Sequence, residues 1–151
     1  MFNDNLIIRF LLIDDDTDDR ELFSEALAAV DPVIVCDLAT DGAEALTRLR
    51  NNEITRPDII FLDINMPVMN GWQFLSKMKS EEAFRHIPVI VYSTSSNVKD
   101  KRIADEMGAL CFITKPQAFR LLRNLLGVVV WHVNRKSFDA ICTEVTALSA
   151  S

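Results

Sequence analysis

The sequence lacks the marks of a metal finger, a secreted scaffold or a membrane protein. Its three cysteines, Cys36, Cys111 and Cys142, show no CxxC or finger spacing, and two of them lie inside apolar runs, as reduced, buried thiols do. The opening MFNDNLIIRF has neither the basic end nor the long apolar stretch of a signal peptide. No run approaches the ~20 apolar residues that a membrane span needs. Positive charge is in short supply as well. A formal net charge of −6 excludes general attraction to nucleic acid or an anionic membrane. Internal repeats and low-complexity linkers are also missing. The expectation is a cytoplasmic protein.

What is present fits one domain with a short terminal extension: 151 residues, 49 % hydrophobic and 25 % charged. A core of that size holds a fold without staples. The charge is uneven. Residues 1–114 carry 11 Lys and Arg against 20 Asp and Glu, whereas residues 115–151 carry 5 against 2. An acidic body with a basic tail suggests an acidic site and a separate C-terminal surface.

Apolar runs alternate with amphipathic stretches along the chain. Leu6–Ile13 predicts a strand buried on both faces, followed at once by acids. Thr17 is placed to cap a helix through Val30, with Leu22, Phe23, Ala26, Leu27 and Val30 on one face, and Asp31-Pro32 ends it. Val33–Leu38 predicts the second strand. Thr40 or Asp41 then caps a helix carrying Ala43, Leu46 and Leu49. Ile59–Leu62 predicts the third strand, and Gly71–Lys79 a helix with Trp72, Leu75 and Met78 inward. Pro88–Tyr92 and Ala109–Ile113 complete five strands. Val98–Met107, stopped by Gly108, and Gln117 to about Val133 complete five helices. Such alternation implies a parallel sheet covered on both faces, with ligands gathering beyond the carboxyl ends of the strands.

That rule sorts the polar residues. Asp14, Asp15 and Asp16 follow strand one, Asp63 closes strand three, Ser93 and Thr94 follow strand four, and Lys115 follows strand five. An isolated acid run is usually solvated surface, but these acids should converge. Two carboxylates ~4 Å apart repel by roughly 4 kcal/mol at an effective dielectric of 20, so a cation or a proton must relieve them. Hard oxygen ligands without nearby His or Cys favour Mg²⁺ over zinc, with Mn²⁺ as the substitute. Asp63 is the natural nucleophile, because a carboxylate oxygen can attack phosphorus and form an acyl phosphate. Lys115 and the Ser93 hydroxyl could contact other phosphoryl oxygens. Pro67 sets a turn that would let the Asn65 carbonyl face the metal, and Lys115-Pro116 is a candidate cis bond aiming the lysine inward.

These segments resemble the receiver domain of two-component response regulators: Leu12-Ile13-Asp14-Asp15-Asp16, Phe61-Leu62-Asp63-Ile64-Asn65-Met66-Pro67, Asn70-Gly71, Val91-Tyr92-Ser93 and Phe112-Ile113-Thr114-Lys115-Pro116. The separations match too, 30 residues from Asp63 to Ser93 and 22 from Ser93 to Lys115. The resemblance implies a doubly wound α/β fold, a five-stranded parallel sheet in the flavodoxin-like order 2-1-3-4-5 with five helices. It implies Asp63 as the phospho-acceptor, Asp14, Asp15, Asp63 and the Asn65 carbonyl as Mg²⁺ ligands, and Asp16 as a spare acid. Ser93 is similar to the family's switch hydroxyl and Phe112 to its aromatic partner. Asn65 and Ser95 occupy the positions that tune phosphoryl lifetime. The length of Asn51–Arg56 and Glu81–His86 resembles the small regulators associated with phytochrome-type or hybrid kinases.

The implied partner is a sensor histidine kinase or phosphotransfer protein, and the chain is expected to be a signalling module rather than an enzyme. Two alternatives stay open, a Mg²⁺-dependent aspartyl-nucleophile phosphohydrolase and a receiver-like binding module that works unphosphorylated. Asn65 stands where such hydrolases usually carry a second acid. The expected division is a receiver over residues 1–133 and an extension over 134–151, too short for an output domain. Within it Phe138, Ile141, Cys142, Val145 and Leu148 recur at helical spacing. This reads as a short helix on the domain's own surface, a docking or dimer-forming helix, or a disordered tail. The apolar run Val128–Trp131 argues for a homodimer or a downstream protein partner at this end.

Overall fold

The computed structural model describes residues 7–150. Five strands, β1 (Arg9–Ile13), β2 (Val35–Ala39), β3 (Ile59–Leu62), β4 (Val89–Ser93) and β5 (Cys111–Thr114), form one sheet. Every pairing is parallel and the order is β2-β1-β3-β4-β5. The helices are α1 (Thr17–Val30), α2 (Gly42–Arg50), α3 (Gly71–Ser80), α4 (Val98–Glu106), α5 (Phe119–Arg135) and α6 (Ile141–Ala150), with a 3-10 turn at Phe138–Ala140. This is the doubly wound, flavodoxin-like fold expected, with six helices among the described residues in place of five.

The two-residue period of the strands divides the interior. Phe10, Leu12, Phe61, Ile90, Tyr92 and Ile113 point to one side, where α1, α5 and α6 cover them in a single continuous core. Leu11, Ile13, Ile60, Leu62 and Val89 point to the other side, under α2 and α3. Val91 lies on that second side further along β4, where it meets Ile64 and Ala104 of α4. Phe23, Phe61 and Tyr92 pack edge to face at 4.9–5.7 Å, which knits α1 to the centre of the sheet.

Several element boundaries shift from those expected. The first strand begins at Arg9; Leu6 lies outside the described residues, and Ile7 and Ile8 precede the ladder. The second runs Val35–Ala39, because its pairing with β1 starts at Arg9 opposite Val35. Asp16, not Thr17, caps α1, its side chain accepting from Asp19 N–H. Asp41 caps α2, whose buried face includes Ala45 where Ala43 had been expected. On α3 the inward aromatic is Phe74, while Trp72 is half-buried at its edge. The Asn70–Gln73 capping box fixes where that helix starts. The fourth strand, expected from Pro88, begins at Val89, and β5 begins at Cys111. The last helix of the expected five starts at Phe119 and runs to Arg135, so the expected division after residue 133 falls inside it.

At the C-terminus, α6 lies against α5 and β5, with Ile141 fully buried and Val145 nearly so. His132 of α5 is buried there. Its Nδ1 meets Ser137 Oγ at 2.7 Å, and its Nε2 is in hydrogen-bond contact with the Glu144 carboxylate. The segment is thus helical and packed on the domain's own surface over its described residues.

Candidate functional site

The site is built where β1, β3 and β5 end. Asp14 and Asp63 sit one step beyond adjacent strands, tied by Asp14 N–H to Ala39 C=O (3.0 Å) and Asp63 N–H to Ile13 C=O (2.9 Å). Lys115 enters from β5, its N–H on Ser93 C=O at 2.7 Å. Carboxylate oxygens of Asp14, Asp15 and Asp63 lie within 4.8 Å of one another. Asp14 is fully buried, Asp63 is 5 % exposed, and Asp15 faces solvent.

Lys115 Nζ donates to Asp14 Oδ2 at 2.8 Å and to Asp19 Oδ2 at 2.7 Å, and stands 3.7 Å from Asp63 Oδ2. The ammonium also lies 5.5 Å from the Tyr92 ring centroid. The Lys115–Pro116 peptide is trans, since no cis bond occurs among the described residues. The expected cis bond is therefore not what aims the lysine. Its own β5 register and two carboxylate acceptors bring it inward.

Burial pushes the Asp63 carboxyl up to about 6, against the pull of Lys115 and of the Asn65 N–H, with Asp14 and Asp15 adding to the rise. Burial likewise raises Asp14, although the Lys115 hydrogen bond opposes it. For Lys115 burial acts against the charge, but hydrogen bonds to Asp14 and Asp19, with the charges of Asp14 and Asp63, outweigh it and hold the ammonium above its usual range. One ammonium facing the carboxylates of Asp14, Asp15 and Asp63 leaves an excess of negative charge. A divalent ion that prefers hard oxygen ligands fits that donor set.

The remaining candidates fall around this pocket. Ser93 is fully buried, and its Oγ accepts from Ser95 N–H at 3.2 Å. Ser95 Oγ donates to Asp100 Oδ2 at 2.8 Å, and Thr114 Oγ1 donates to Ser95 C=O at 3.0 Å. Asn65 is exposed, and its N–H reaches Asp63 Oδ1 at 3.2 Å. Phe112 is half-buried on the α4 side beside the cluster of Ile64, Val91 and Ala104. Asp16, the spare acid, is occupied as the α1 cap.

Sequence reasoning missed Asp19. Its signal was present: it lies in the first turn of the helix that leaves Asp15, so it must overhang the same strand ends. The reason for Gly71 was also not legible. A Cβ there would fall 2.5 Å from Asp63 O and 2.6 Å from Ile64 Cα, so only glycine lets α3 start against the acceptor's own backbone.

Residues 10–127 match the family model described as the response regulator receiver domain. Protein PilG of Pseudomonas aeruginosa is 33 % identical over 128 residues, covering 83 % of this chain and 87 % of PilG. A protein-glutamate methylesterase/protein-glutamine glutaminase of Treponema denticola is 38 % identical over 111 residues, 72 % of this chain. The chain spans only 28 % of that relative's length. The crystal structure of the phosphorylated cyanobacterial phytochrome response regulator RcpA superposes with a TM-score of 0.77 at 31 % identity, covering 83 % of this chain and 93 % of RcpA. The five-stranded parallel sheet agrees with that superposition, and the chain, matched by the family model over most of its length, belongs to the response regulator receiver domain family.

Proposed function

We propose that this receiver accepts a phosphoryl group on Asp63 from a phosphohistidine of a sensor kinase or phosphotransfer protein, in the cytoplasm, and switches protein–protein contacts by it. The observation that carries this reading is the convergence of Asp14, Asp15 and Asp63 with Lys115 Nζ at the ends of three separate strands. Receiver-domain regulators are signalling proteins, and among the described residues no helix is long and apolar enough to cross a membrane.

In the transfer, an Asp63 Oδ attacks phosphorus, the O–P bond forms, and the histidine N–P bond breaks with its electron pair returning to the imidazole nitrogen. Asp14, Asp15, Asp63 and the Asn65 carbonyl would hold Mg²⁺. When bound, the ion neutralises charge on the phosphoryl oxygens. Lys115 supplies a point charge to another oxygen, and Ser93 a hydroxyl donor, since accepting from Ser95 N–H leaves its own O–H available. Phe112, having no phenol hydroxyl, responds through packing against Ile64 and Ala104. The C-terminal helices supply a surface for a partner or a second copy, with Trp131 51 % and Leu121 44 % exposed.

The test is mass spectrometry of the intact protein after incubation with Mg²⁺ and acetyl phosphate. A single hydroxylamine-labile phosphoryl adduct, absent in Asp63→Asn, is expected. Repeated turnover of phosphate esters would replace this reading with a phosphohydrolase. No adduct from acetyl phosphate or any histidine kinase would leave a module that works unphosphorylated.

A further inference from the structure

Asp19 stands apart from the expected ligand set, yet it makes the shortest contact in the pocket to Lys115, 2.7 Å from Oδ2 to Nζ. Its position is fixed. Asp16 caps the first turn of α1 through Asp19 N–H at 2.9 Å, and Arg20 ties the same turn to Asp14 C=O at 2.8 Å. An ammonium has three donors. Asp14 and Asp19 take two of them, at 2.8 and 2.7 Å, and the nearest oxygen of Asp63 is left at 3.7 Å, beyond a hydrogen bond.

The buried lysine would otherwise have every reason to close on Asp63. Both side chains are less than a tenth exposed, and opposite charges attract strongly in such surroundings. A closed Lys115–Asp63 pair would occupy the oxygen needed as nucleophile and as metal ligand. Asp19 is 35 % exposed, so it can hold the ammonium at the rim without a further burial penalty.

We infer that Asp19 is a positioning residue that tethers Lys115 beside, and off, the acceptor carboxylate, keeping Asp63 open to metal and phosphorus while leaving one ammonium N–H for the incoming group. This rests on the phospho-acceptor reading above and adds the device that keeps that acceptor free.

The test uses the whole chain with Asp19→Ala and Asp19→Asn. Calorimetric titration with Mg²⁺ alone reads the openness of the acid cluster without any phosphoryl transfer. Losing a charge-assisted hydrogen bond should let Lys115 close on Asp63 and weaken Mg²⁺ binding by about tenfold in Asp19→Ala. Phosphorylation by acetyl phosphate at saturating Mg²⁺ should slow as well. Asp19→Asn keeps an acceptor oxygen and should recover most of both losses, which mere removal of a surface charge would not predict. Wild-type Mg²⁺ affinity in Asp19→Ala, or faster phosphorylation, overturns the tether, as does an Asp19→Asn protein as impaired as Asp19→Ala. A wild-type protein that binds Mg²⁺ but is never phosphorylated would sink the phospho-acceptor reading instead, and the metal titrations would still decide the tether.

Discussion

The two faces of the sheet are secured in different ways. Under α1, α5 and α6, one continuous core runs from Phe10 to Val145 and includes the Phe23–Phe61–Tyr92 cluster. Under α4, among the described residues, Ile64, Val91 and Ala104 alone are buried together, and Ala104 is that helix's one buried residue. Ser93 follows Val91 on this thin side by the strand's two-residue period, and Phe112 borders it. A helix resting on so little apolar surface costs little to shift, whereas α5 and α6 cannot move without opening the main core. The residues that resemble a switch therefore sit where the fold offers least resistance.

Mutations on the two sides should separate them. Phe23→Ala deletes a fully buried ring from the thick face and should cost about 3–5 kcal/mol in a denaturant titration. Ile141→Ala probes whether α6 belongs to that face. A fully buried isoleucine implies a loss of about 2–5 kcal/mol in the same cooperative transition. A change under 0.5 kcal/mol, or a separate early transition, would make α6 an appendage.

The charged pocket between the faces should show itself through pH in metal-free protein. The Asp63 carboxyl is raised from 3.8 to about 6, so between those values the folded chain binds more protons than the unfolded one. The stabilising contribution is complete below pH 3.8 and is lost as pH rises through about 6, with Asp14 acting in the same sense. Asp63→Asn should flatten this slope and stabilise the metal-free protein at pH 7 by about 2–3 kcal/mol, measured by thermal melting from pH 4 to 8. A melting temperature that rises with pH across that window would contradict the burial of Asp63.

The smallest effect should come from the thin face. Ala104→Gly ought to cost about 1 kcal/mol, mostly helix propensity, and to raise hydrogen exchange in α4 alone. Loss of protection in α5 as well would mean that the two faces are coupled and the contrast is false.

The alternation of strands and helices, and the acids, serine and lysine at strand ends, were legible because parallel strands buried on both faces are continuous apolar runs that stop abruptly at charge. Ile59–Leu62 was readable to the residue for this reason. Edges were not. Leu6 to Ile8 and Val33 to Ile34 are as apolar as the strands they adjoin, and only pairing across β1 and β2 decides where the ladder begins. Phe74 and Trp72 could not be ranked from one helix, since the neighbouring packing chooses the inward side.

Chain chemistry by itself determined the fold class, the sheet edge that bears the site, and that Asp14, Asp15, Asp63 and Lys115 converge there. Only tertiary structure decided that Lys115 is shared between Asp14 and Asp19, and that α6 returns to cover α5 and β5. Periodicity reports which residues leave water. The partner they meet is fixed by distances across the fold, which no local pattern encodes.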